Sequence, residues 1–167
     1  MKVVSFAAIV KALNAANVRY LVAGGLAVNA YGYSRFTNDV DIVVRLTKKD
    51  IFAAFSALKR IGYQPRAPIT VEEFANPKTR KELIKEKNML VLQMWSDKHP
   101  ETPLDIFVQE PFVFATEYKS ALLDRLDKEP VRFISLKTLI RLKRKAGRDQ
   151  DKIDVANLVE IRKIKAR

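Results

Sequence analysis

Cysteine is absent from the 167-residue chain, and histidine occurs only once, at His99. Disulfides, thiolate metal sites and cysteine nucleophiles are therefore excluded, and a lone imidazole argues against a histidine-based zinc site. Any chemistry must run on carboxylates, lysines or hydroxyls. No apolar run approaches the roughly 20 residues that span a bilayer. The opening Met1-Lys2-Val3-Val4-Ser5-Phe6 places a lysine before apolar residues, but Lys11, Asn14 and Asn17 interrupt them too soon for a signal peptide, so the expected location is cytoplasmic. Acidic residues are also few: 19 against 31 Lys and Arg, giving +12 and a pI near 10.0. Such a field attracts polyanions, whether nucleic acid or nucleotide phosphates.

What is present, 48% hydrophobic and 30% charged residues, is the composition of a globular protein. The length suits a single domain over 1–167, with a sheet core over about 1–110 and a closing strand and helices over about 111–167. Phe6, Ile9, Val10, Leu13 and Ala16 recur with helical period, so a first amphipathic helix reaches about Asn14. Tyr20 to Ala23 reads as a short buried strand, and Gly24-Gly25 as a tight turn into a helix that Gly32 ends. Asp39 to Val44 has strand character, and Thr47 caps a helix through Leu58 that Gly62 ends. Between Tyr63 and Glu86, three prolines punctuate a basic stretch that reads as a loop and then a short helix. Met89–Trp95 and Pro103–Val108 form a hairpin; a helix over Glu117–Leu126, a strand over Val131–Ile134 and two helices parted near Gly147 follow. The fold class is α/β (α+β), with neither repeats nor low-complexity segments.

Residues two apart in a strand share a face, so Asp39 and Asp41 point one way while Val40 and Ile42 point into the core. The two like charges repel, and a divalent cation between them offsets that cost; oxygen-only ligands suit Mg2+ or Mn2+. Asp105, alone among Leu104, Ile106 and Phe107, repeats the pattern, because a buried carboxylate needs a cation partner. Gly24 and Gly25 at a helix start let a phosphate approach free backbone N–H groups, although a glycine pair after a strand is more often turn chemistry. The order carries the weight: strand, Gly-Gly, short helix, Arg35-x-Thr37-x-Asp39-x-Asp41, then an isolated strand aspartate. Three carboxylates in this order suit two metal ions that bridge a triphosphate and an attacking oxygen.

Gly24 to Gly32, followed by Arg35, Thr37, Asp39 and Asp41, resembles the glycine-rich helix and double-aspartate signature of the DNA polymerase β-like nucleotidyltransferases. The nearest subgroup is the small prokaryotic proteins related to AbiEii-type toxins. Pro103 to Phe107 resembles the third-carboxylate strand, and Ile134 to Lys137 through Lys143, Arg148, Asp151 and Asp154 resembles the subgroup's closing helices. The resemblance implies a mixed sheet flanked by helices and contacts from Gly24 and Gly25 to the triphosphate. It also implies two magnesium ions on Asp39, Asp41 and Asp105, with Asp105 as the base or metal-bound activator of an acceptor hydroxyl. Tyr31 departs from the pattern, since many relatives carry histidine there, and Gly25 stands where many carry serine.

Other residues have competing readings. Arg35 and Thr37 either bind phosphate or order the turn that presents the aspartates. Lys143 either reaches a γ-phosphate, as the resemblance suggests, or lies on a solvated face. Asp151, Asp154 and Arg148 have the spacing of surface salt bridges, His99 reads as exposed, and Trp95 and the phenylalanines read as core. The cationic tail Arg162–Arg167 either touches RNA phosphates or is a solubilising terminus. The expected activity is transfer of a nucleoside monophosphate from a nucleoside triphosphate to an acceptor hydroxyl. The +12 charge favours RNA, tRNA in particular, or an acidic protein as acceptor over a cationic antibiotic. A role as toxin with a cognate antitoxin fits the resemblance; the rival readings are an inactive binding module and an antibiotic nucleotidyltransferase.

Overall fold

The computed structural model describes residues 1–165, leaving the last two residues of the basic tail outside the described part. Helix α1 (Val3–Ala15) presents Phe6, Ile9, Val10 and Leu13 to the core, which is the helical stripe expected from their spacing. Strand β1 (Tyr20–Val22) follows, then helix α2 (Gly24–Ala30) and strand β2 (Val40–Val44). Helix α3 (Lys48–Arg60) is capped by Thr47, whose hydroxyl accepts the Asp50 N–H, and it outlasts the expected end at Leu58 by two residues.

The stretch from Tyr63 to Glu86 is more ordered than its prolines suggest. Strand β3 (Gln64–Pro65) adds a short edge, and helices α4 (Val71–Ala75) and α5 (Pro77–Lys87) follow. Thr70 and Glu73 form a reciprocal capping box on α4, and Asn76 caps α5 with Pro77 in its first turn. Strands β4 (Val91–Trp95) and β5 (Leu104–Phe107) are the antiparallel pair expected from their sequence.

The helix expected over Glu117–Leu126 is only half present. Helix α6 (Phe114–Ser120) stops early, and Leu122–Leu126 is instead strand β6, paired antiparallel with β7 (Glu129–Phe133). Leu122 and Leu126 have helical spacing, but Asp127 adopts φ 54 and closes a two-residue hairpin turn with Lys128, so pairing with β7 overrides local propensity. Helix α7 (Leu136–Ala146) and helix α8 (Asp149–Lys165) close the chain, parted at Gly147 in the left-handed conformation.

The seven strands form one mixed sheet in the order β3-β4-β5-β2-β1-β7-β6. At its centre β1 runs antiparallel to β2, while β2 runs parallel to β5 and β1 parallel to β7. Leu21, Val22, Val40, Ile42, Val43, Leu104 and Ile106 are fully buried there, so the central strands are rigid supports for whatever projects from their ends. No described helix is long and apolar enough to cross a membrane. Three placements differ from expectation. Trp95 is only half-buried and Phe36 is 76% exposed. His99 is half-buried, with Nδ1 2.9 Å from the Ser5 hydroxyl and its ring stacked on Tyr63.

Candidate active site

Two strands make the site. In the parallel pairing of β2 with β5, Asp41 lies directly opposite Asp105, so both carboxylates leave the sheet on the same face. Asp39, two residues before Asp41, joins them, and one carboxylate oxygen from each of the three lies within 4.8 Å of the others. Their neighbours Val40, Ile42, Leu104 and Ile106 are buried, so the backbone that holds the acids cannot readily move.

This acidic cluster is not neutralised from within. Burial, with Asp39 and Asp105 alongside, pushes Asp41 up to about 7 against the weaker pull of Lys143 and Arg148. Burial and Asp39 likewise raise Asp105, partly offset by a hydrogen bond from Gln93 across the β4–β5 pair. The Asp105 Oδ1 atom is buried and has no hydrogen-bond partner. An orphaned buried oxygen beside two more carboxylates is a costly arrangement without a cation and a fitting one with it. The donor set, all carboxylate oxygen, suits Mg2+ or Mn2+, and Asp39, Asp41 and Asp105 are the residues that would hold it.

The glycine turn is shaped around these acids. The Ala23 N–H donates to the Asp41 carbonyl at 2.9 Å, which brings Gly24 against the aspartate where the β1–β2 ladder ends. Gly24 has φ +60, and a Cβ there would collide with the Asp41 carboxylate. A Cβ on Gly25 would come 2.5 Å from the Thr37 hydroxyl and 3.2 Å from the Arg35 guanidinium. Both glycines are thus demanded by close packing against the site. The N terminus of α2 also has no side-chain cap, so its first N–H groups are not taken up by a capping side chain. Thr37 is buried and faces Asp39, with its hydroxyl 3.4 Å from the Asp39 carboxylate.

A second cluster, in which three cations meet two buried carboxylates, lies beside the first. Arg35 donates two hydrogen bonds to Asp154, at 2.7 and 2.9 Å, and one to the Phe36 carbonyl. Lys143 is buried between Asp151 and Asp154, at 2.8 and 2.9 Å. Arg148 grips Asp151 from outside, its own side chain 75% exposed. Asp151 and Asp154 are only 1% and 0% exposed, which corrects the surface-salt-bridge reading, and Lys143 lies on no solvated face. Burial raises Asp151, but hydrogen bonds and charge from Arg148 and Lys143 outweigh it and bring the group down to about 2. Burial also raises Asp154, and Arg35, Lys143 and Gln150 together pull it below the usual range. The sequence spacing could not reveal this network, because Arg35 and Asp154 are 119 residues apart. Tyr31, the departure from the expected histidine, donates from its hydroxyl to the Ile134 carbonyl and so ties the end of α2 to the segment entering α7.

The chain has the nucleotidyltransferase fold. It is similar to the lincosamide antibiotic adenylyltransferase LnuA in its lincomycin-bound form, at 16% identity and TM-score 0.54, covering 87% of this chain and 88% of that one. It is also similar to ANT(2'')-Ia in complex with adenylyl-2''-tobramycin, at 14% identity and TM-score 0.60, covering 93% of this chain and 86% of the other. An antigenic nucleotidyltransferase-like protein from Paracoccidioides brasiliensis aligns at 14% identity and TM-score 0.57, over 91% and 71% of the two chains. No protein-family model matches the sequence, and neither does any curated protein.

Three outcomes follow from the geometry. Replacing Asp41 by Asn removes like-charge repulsion, so thermal unfolding in chelator at pH 8 should show the variant at least as stable as wild type. Mg2+ or Mn2+ should stabilise wild type and should not stabilise the variant. Gly24→Ala should lose the metal response too, and should cost roughly 1–3 kcal/mol in denaturant unfolding because the left-handed backbone and the Asp41 carboxylate both oppose a Cβ. Lys143→Met leaves Asp151 and Asp154 buried without their shared cation, so the same measurement should show a loss of roughly 3–5 kcal/mol. In wild type the depressed Asp151 contributes stability above the unfolded carboxylate value near 4 that is lost as pH falls through about 2. That acid-dependent part, about 2 kcal/mol, should be smaller in the Lys143 variant.

Proposed function

We propose that the protein is a metal-dependent nucleotidyltransferase that moves a nucleoside monophosphate from a nucleoside triphosphate to an acceptor hydroxyl. The observation that carries this reading is the acid-only cluster of Asp39, Asp41 and Asp105, with its orphaned Asp105 oxygen, beside an uncapped glycine turn. Divalent cations held there would neutralise charge on the triphosphate and favour the ionised form of the attacking hydroxyl. Gly24 and Gly25 offer backbone N–H groups, with no side chain in the way, to the phosphates. The acceptor oxygen bonds to the α-phosphorus while the bond from that phosphorus to the oxygen bridging toward the β-phosphorus breaks, so pyrophosphate leaves. In this reading Asp105 would take the hydroxyl proton or activate the hydroxyl through a bound cation.

Lys143 and Arg35 enter this reading as positioning residues, since both are held by buried carboxylates. Arg148 is the cation of that network with most of its side chain in solvent, so in this reading it is the one that would meet a phosphate. For the acceptor, the +12 charge favours RNA, including tRNA, or an acidic protein. A toxin acting with a cognate antitoxin is consistent with this acceptor class and with the resemblance to AbiEii-type proteins. A second reading, transfer to a small antibiotic, draws support from the lincomycin and tobramycin complexes of the similar structures. A cationic drug would have to approach against the net charge.

Each α-labelled nucleoside triphosphate, with Mg2+ or Mn2+, should be incubated with total RNA, with the protein itself, or with lincosamide and aminoglycoside drugs. Label should pass to RNA or protein with wild type and not with Asp39→Ala/Asp41→Ala. Transfer to a drug alone would favour the second reading. No transfer to any acceptor, with RNA bound equally by both proteins, would replace the enzyme by a binding module.

A further inference from the structure

The β1–β2 pair has a second end. Asp41 and Gly24 mark one; at the other, Arg19 and Arg45 face each other across the ladder, joined by an Arg45 N–H bond to the Arg19 carbonyl at 2.9 Å. Like charges directly opposite in an antiparallel pair are unfavourable, and among the described residues neither guanidinium forms an ion pair. Among the described residues, no carboxylate lies within 4.0 Å of the cationic nitrogens of Arg19, Arg45 or Lys49. The adjacent acid, Asp50, is buried and already occupied: one oxygen accepts the Arg19 N–H and the other the Thr47 hydroxyl.

These three cations line a groove of about 720 Å³ between the end of α1 and the start of α3. Tyr118 and Pro130 also line it. Asn17, exposed and held at φ 53, offers an amide at the same edge. The groove has no carboxylate cluster to hold a divalent cation, so a metal-bound triphosphate does not fit its chemistry. Singly charged phosphates repeated along a strand do: several unpaired cations and an amide, in an open trough, are the usual means of holding a nucleic-acid backbone without reading its bases.

We propose that this groove is a second binding site, separate from the carboxylate cluster, that takes the phosphodiester backbone of a single-stranded RNA. It is independent of whether the protein transfers nucleotides, because it requires neither metal nor triphosphate.

The test is fluorescence anisotropy of a labelled mixed-sequence RNA 12-mer in chelator, from 50 to 200 mM salt. Wild type and Asp39→Ala/Asp41→Ala should bind alike. Arg19→Ala/Arg45→Ala/Lys49→Ala should bind about tenfold more weakly at 50 mM salt. Its slope of log affinity against log salt should be shallower by about 2, at ~0.7 per lost phosphate contact on a single strand. Lys81→Ala/Lys85→Ala/Lys87→Ala removes the same charge from the exposed side of α5 and should retain the wild-type slope. Arg19→Ala alone, a change at an exposed side chain, should give a partial loss and covers the case in which the triple variant unfolds. Equal losses in the two triple variants would overturn the groove in favour of general charge attraction. Unchanged binding by the groove variants, or no binding by wild type, would overturn it outright.

Discussion

The parallel pairing of β2 with β5 is the constraint on which the site depends. It sets Asp41 opposite Asp105 with no freedom to separate, because the residues on either side of each are buried in the central sheet. Chain entropy and repulsion would both favour parting the carboxylates, and the hydrophobic core prevents it. The acids are therefore held together by packing energy collected elsewhere, and the site remains a place where a cation is worth more than it would be on a flexible surface. The same constraint explains Gly24: once Ala23 is bonded to the Asp41 carbonyl, the next residue has no room for a side chain.

Beside this unbalanced cluster, the network of Arg35, Lys143, Arg148, Asp151 and Asp154 shows what the fold does when charges serve structure. Every buried carboxylate there has two or more cationic partners, and the pKa values of Asp151 and Asp154 fall. In the first cluster those of Asp41 and Asp105 rise. Opposite shifts in adjacent groups of aspartates separate a self-compensated scaffold from a site awaiting a partner. The scaffold also has a mechanical effect. Through Arg35 it fixes the segment leading into Asp39 to α8, so the C-terminal helix restrains an N-terminal loop.

Much of this was legible in the sequence where one physical rule dominated. Period-two spacing placed Asp39 and Asp41 on one face, and isolated aspartate among apolar strand residues singled out Asp105. Helical spacing placed α1, and β-branched runs placed the central strands. Legibility failed where long-range contacts decided the outcome. Leu122–Leu126 has leucines at helical spacing and becomes a strand because β7 is available to pair with it. Asp151 and Asp154 have the spacing of surface ion pairs and are buried because Arg35 and Lys143 reach them. The capping box of Thr70 with Glu73 and the Asn76-Pro77 start are local helix signals within the proline-rich stretch, where Pro77 opens a helix and does not break one. Phe36 belongs to the loop beside the site, where an apolar residue need not be core.

The similar structures constrain the fold and leave the acceptor to the surface of this chain. At 13–16% identity, the shared element is the arrangement of sheet and helices, on which different acceptor surfaces can be built. Here the surface is defined by an asymmetry along a single pair of strands. Asp41 and Arg45 are four residues apart on β2 and its extension, roughly 13 Å at the usual strand rise, and the acidic and mainly cationic ends share one short ladder. A small cationic drug would be drawn to the acidic end alone and repelled by the molecule as a whole. A polyanionic strand would be attracted by the molecule as a whole and would meet uncompensated cations at the basic end. Under the proposed transfer reaction, the charge pattern would therefore favour a large anionic acceptor, on the same physical grounds that would favour a metal ion at the acidic end.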